Sequence, residues 1–107
     1  YSAPASNPDF AFSIGSSASA FAFSPEGTDI AASFKDNGSA CGVGSSDASN
    51  ACWAGLSTSA QTIVNRTSAN HTSGTLTTVK FRAQSGSAHV QTVGTYTATT
   101  TLTLLPL

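Results

Sequence analysis

In the N-terminal third, large apolar residues alternate with small or polar ones in two stretches, Phe10-Ala11-Phe12-Ser13-Ile14 and Phe21-Ala22-Phe23. That period of two is expected of a strand with one buried face. Residues 15–20 between them are small, and Ser24-Pro25-Glu26-Gly27 has the composition of a turn. The spacing of Ile30 and Phe34 predicts a strand over 29–36, closed by Asn37-Gly38, a strong short turn signal. Ile63 and Val64 mark a short strand within 61–67. The clearest alternation runs over 75–83: Thr77, Val79, Phe81 and Ala83 share one face, and Thr78, Lys80 and Arg82 take the other. Further strands are predicted over 89–93 and 96–105. In the second of these Tyr96, Ala98, Thr100, Leu102 and Leu104 fall on one side, with a row of threonines opposite. No segment keeps helical spacing over ten residues. The expectation is an all-β fold, an antiparallel β-sandwich of about seven short strands. Residues 1–24 read as an N-terminal extension, opened by the Pro-containing lead-in 1–9, and residues 25–107 as the sandwich domain.

Composition sharpens this picture. The 107 residues include 18 Ser, 15 Thr and 17 Ala, while charged residues make up only 8%. Average domains carry about 25% charged residues, so the surface is one of hydroxyls. The net charge of −1 leaves almost no long-range field. The four cations, Lys35, Arg66, Lys80 and Arg82, form at most one small group, Lys80 with Arg82, so neither nucleic acid nor an anionic membrane is an expected partner. Leu, Ile, Val and Phe number 20 in all, a thin supply for an isolated monomer. A core of that size is easier to sustain if a neighbouring subunit supplies part of the buried surface.

Cys41 and Cys52 flank a stretch of Gly, Ser, Asp and Asn. They are either a disulfide or two free thiols. The polar loop offers no apolar site for a thiol, so the disulfide is the expectation and, with it, an oxidising, extracellular location. No apolar run is long enough to be a signal peptide or to span a membrane as a helix, so no membrane insertion is expected, and a start at Tyr1 fits a chain seen after processing. G-x-S-x-G, H-E-x-x-H, Walker and dinucleotide motifs are all absent, so no catalytic residue or cofactor is assigned. His71 and His89 read as ordinary polar residues, and Glu26, Asp29, Asp36 and Asp47 lack the spacing of a calcium loop, so no metal site is assigned either. Asn37, Asn65 and Asn70 each begin an N-x-Ser/Thr triplet, which fits N-glycosylation or ordinary turns in a Ser/Thr-rich chain.

The segment from Phe10 to Phe23 has two readings. It is either a hairpin of the chain's own core or a donor strand that completes a neighbour's sheet, with Phe10, Phe12, Ile14, Phe21 and Phe23 as intersubunit anchors. A head-to-tail contact of that kind does not close on itself and builds a filament.

Three stretches carry a resemblance: Cys52-Trp53-Ala54-Gly55-Leu56-Ser57-Thr58, Thr78-Val79-Lys80-Phe81-Arg82-Ala83, and Gly94-Thr95-Tyr96-Thr97-Ala98-Thr99 with its Thr/Leu-rich continuation. Together they resemble small secreted pilin-like proteins of environmental bacteria. The G-T-Y-T-x-T run is similar to the last strand of spore-coat U-type domains, subunits of chaperone-usher pili. The resemblance spans roughly residues 50–105 and implies an immunoglobulin-like sandwich with a role in fibres or attachment. The expectation is therefore a non-enzymatic filament or pilus subunit at the cell surface, partnered by identical copies. The alternative is a monomeric adhesin or carbohydrate-binding sandwich that recognises surface glycans.

Overall fold

The structure, a computed structural model, describes residues 1–68 and 74–105. Its strands are β1 (Ser19–Gly27), β2 (Ala54–Gly55) and β3 (Thr77–Ser85), joined in one antiparallel sheet of order β2-β1-β3. β1 and β3 pair over nine positions, from Ser19 opposite Ser85 to Gly27 opposite Thr77. β2 meets β1 only at Ala22 and Phe23.

The phase of the long ladder follows from bonds at its end. The Gly86 N–H donates to the Ala18 carbonyl at 2.7 Å and the Ala88 N–H to that of Ser16 at 2.8 Å, so the even-numbered residues of this arm point their backbone groups at β3. Pro25 falls in the other phase. Its missing N–H faces the side that β2 has already vacated, and this is why a proline sits inside the central strand without costing a ladder bond. Two positions on, the Gly27 N–H faces the same way and donates to the Asp47 carboxylate at 2.7 Å. A turn at 24–27 was the expectation from composition; the chain instead continues as strand through Gly27. β1 thereby runs across the boundary expected at residue 24.

The core forms where β1 meets the segments that follow it. Phe23, Ile30, Phe34, Cys52 and Ala54 are buried together, with Phe10, Ile63 and Val79 packed at the margin. The rings of Phe23 and Phe34 lie 5.8 Å apart. Ile30 and Phe34 are both buried as expected, but through a 3-10 turn at Ala32–Phe34 instead of a strand. A spacing of four fits one face of either element, so periodicity alone could not separate them. The Asn37-Gly38 turn is present, with Gly38 at φ +89° and the Asn37 N–H donating to the Ala40 carbonyl at 3.3 Å.

The architecture is all-β and antiparallel, but the described residues contribute three strands to one sheet and not the seven of a sandwich. Residues 10–14, 89–93 and 96–105 form no ladder, and the strand expected around Ile63 and Val64 is reduced to a single bridge between Ile30 and Val64. The molecule is elongated, 49 × 30 × 22 Å.

Candidate functional site

The Cys41–Cys52 disulfide is formed, with Cα atoms 5.7 Å apart. The loop it closes is organised by Asp36, a buried carboxylate. One Asp36 oxygen accepts the Gly38 N–H at 2.7 Å and the other the Ala48 N–H at 2.8 Å, while its backbone exchanges two bonds with Ser46 at 3.0 Å. Glycine at 44 is required: its φ is +85°, and a side chain there would collide with the Asp36 carbonyl. Asn50 and Cys52 both sit at φ 58°, the left-handed region that costs a non-glycine residue about 1–2 kcal/mol, so the disulfide and the sheet together hold this exit from the loop. Sequence reasoning did not single out Asp36. The Asp-Asn-Gly run that supplies its turn was the available signal.

Charged groups are used to tie loops to β1 and β3. Lys80 Nζ lies 2.6 Å from Glu26, 2.9 Å from the Ser49 hydroxyl and 3.2 Å from the Asn50 side-chain carbonyl. Partial burial works against the Glu26 carboxylate, but bonds from Lys80, the Asn50 N–H and Ser49 outweigh it and hold its pKa below the usual value. The cluster ties the loop at Ser49 and Asn50 to Glu26 on β1 and Lys80 on β3. Arg66 bonds Asp29 at 2.5 Å, and this contact keeps the Asp29 pKa low. Lys35 donates to the carbonyls of Gly27 and Thr28.

The N-terminal segment packs on its own chain. Asp9 and Trp53 exchange two backbone bonds at 3.0 and 2.8 Å, and the Gly55 N–H donates to Ala3 at 2.8 Å. Gly55 must be glycine, because a side chain would meet the Tyr1 carbonyl. The Phe12 ring stacks on Tyr1 at 4.8 Å, lies edge-on to Trp53 at 5.6 Å and carries the Arg82 guanidinium at 4.6 Å. Burial and the bond from its hydroxyl to Asp9 raise the Tyr1 pKa. Trp53 is 3% exposed and its indole N–H is bonded to the Asn50 carbonyl. Tyr1, Phe12 and Trp53 are therefore already engaged with one another and with Arg82. Of the five residues read as intersubunit anchors, Phe23 is in the core, Phe21 is half-buried on β1, and Phe10, Phe12 and Ile14 are half-buried in the irregular stretch 10–14.

The surface that is free lies elsewhere. By the phase of the ladder, the backbone groups of Thr77, Val79, Phe81, Ala83 and Ser85 point away from β1, and no described residue pairs with that edge. Phe81, stacked on Phe21 at 5.8 Å, remains 48% exposed beside it. Residues 90–105 make no backbone hydrogen bond among the described residues; the Tyr96 hydroxyl donates to the Thr92 carbonyl. Leu102 and Leu104 there are 70% and 95% exposed.

Asn37 and Asn65 are exposed, Asn37 with its side-chain oxygen accepting from Ser39 and Ala40. Asn70 and His71 lie outside the described residues. His89 is half-buried, its ring bonded to the Ser17 carbonyl and Gln91. Among the described residues, no three His, Cys, Asp or Glu side chains converge on a metal position, and no helix is long and apolar enough to cross a membrane. No known protein family, curated protein or solved structure matches this chain.

Proposed function

We infer that this domain is a structural subunit of an extracellular filament or pilus, used for attachment or biofilm, which polymerises head to tail by β-strand complementation between identical copies. The observation that carries the reading is the open edge of β3. Nine residues of strand present one free row of N–H and C=O groups next to a half-exposed phenylalanine, the arrangement that templates pairing with another chain. Natural edges are usually blunted by charge. Here Lys80 and Arg82 are drawn onto the sheet's own face by Glu26 and Phe12, which leaves the edge unguarded. The disulfide supports an oxidising compartment, and the hydroxyl-rich, nearly uncharged surface suits contact with a like surface better than with nucleic acid. On this reading the immunoglobulin-like sandwich is completed in the assembly, where strands of neighbours add to a sheet too small to enclose a core alone. Glycans on Asn37 and Asn65 would decorate the outside of such a fibre.

Electron microscopy and sedimentation of the native protein test this reading. Uniform fibres a few nanometres wide, with mass rising with concentration, are expected. A monomer at high concentration that captures glycans on an array would replace it with the adhesin.

A further inference from the structure

We propose that the segment 95–105 of one copy is the strand that pairs with the open edge of β3 in a second copy, its apolar face covering Phe81. The inference rests on the filament reading and identifies the parts that would carry it. The segment has the period of a strand but no ladder: Tyr96, Ala98, Thr100, Leu102 and Leu104 share one side, and every residue from 95 to 105 is exposed. The edge has the converse shortage, with the outward backbone groups of Thr77, Val79, Phe81, Ala83 and Ser85 unpaired among the described residues. The lengths agree, since a segment of this size spans the nine residues of β3. The chemistry agrees as well. Neither the segment nor the outward-phase residues of β3 carry a charge, so pairing buries none. With the Tyr96-to-Leu104 face on the side of Phe21, Val79 and Phe81, leucine side chains lie over an aromatic ledge that the chain itself leaves half open. The remaining candidate for exchange, the N-terminal segment, is already bonded to Trp53 and Gly55 of its own chain. Each copy offers one strand and one edge, a heterologous contact that propagates.

The test uses the full-length chain with two variants. Thr100→Pro/Leu102→Asp spoils the segment at exposed positions, and Ala83→Pro removes an outward N–H while leaving the bonds to β1 in place. In sedimentation the parent chain should associate with concentration. Each variant alone should be weakened by about a hundredfold or more, roughly the effect of a proline in a ladder. An equal mixture of the two should form a heterodimer that grows no further, because one partner retains only the edge and the other only the strand. If Ala83→Pro does not fold, binding of a synthetic 95–105 peptide to the Thr100→Pro/Leu102→Asp protein, read by amide shifts at residues 77–85, takes its place. A segment variant that associates like the parent overturns this inference and leaves the filament reading standing. A mixture that yields no dimer, or a peptide that shifts no β3 amide, also overturns it. A parent chain that stays monomeric overturns both.

Discussion

β1 and the segment 95–105 both carry strand-like alternation, yet one buries four consecutive residues and the other is exposed throughout. β1 buries Ala22, Phe23, Ser24 and Pro25, and the Ser24 hydroxyl donates to the Ala51 carbonyl at 2.5 Å. The C-terminal segment leaves Leu104 95% exposed. Alternation shows that a run can present one apolar face; it does not say whose surface will cover that face. For β1 the cover is local, because Ile30 and Phe34 follow within the next turn and the disulfide pins Cys52 and Ala54 against it. Nothing in the described chain plays that part for 95–105.

Substitutions on the two sides of this contrast should differ sharply. Phe34→Ala empties the centre of the core and should cost about 3–5 kcal/mol in urea unfolding, enough to unfold a small domain of ordinary stability. Replacing Cys41 and Cys52 by serine should cost about 3 kcal/mol, since the short loop is then free in the unfolded chain and the left-handed Asn50 and Cys52 are less firmly held. Acid gives a smaller effect with a defined sign. Glu26 and Asp29 have lowered pKa values in the folded state, so their contribution is present above the ordinary values of 4.5 and 3.8 and is lost as the pH falls below them. Urea midpoints should be flat from about pH 5 to 7 and decline toward pH 3, and Glu26→Gln should flatten part of that decline. Smallest of all, Leu104→Ala should change the stability of the dilute monomer by less than about 0.5 kcal/mol, although it removes a large apolar side chain. A loss of 2 kcal/mol there would mean that the segment is part of the monomer's own core.

The sequence displayed β3 almost to its ends, because Thr77 to Ala83 alternates cleanly and one face meets the core through Val79. It also pointed to the disulfide and to the turn at Asn37-Gly38. It hid the continuation of β1 through Pro25, which depends on where a different strand, β2, happens to stop. It hid the 3-10 turn at Ala32–Phe34 as well, because two apolar residues four apart suit either period. The open edge could not be read from residues at all. An edge is defined by the absence of a neighbour, and only the assembled topology shows which strand lacks one.

Amide hydrogen exchange along β3, followed as a function of protein concentration, tests the central claim most directly. In dilute solution the N–H groups of Thr78, Lys80, Arg82 and Gln84, bonded to β1, should be protected while those of Thr77, Val79, Phe81, Ala83 and Ser85 exchange freely; on assembly the second set should become protected too. Outward-facing amides that keep exchanging freely in the assembled state, or that are already protected in the monomer, would contradict the account.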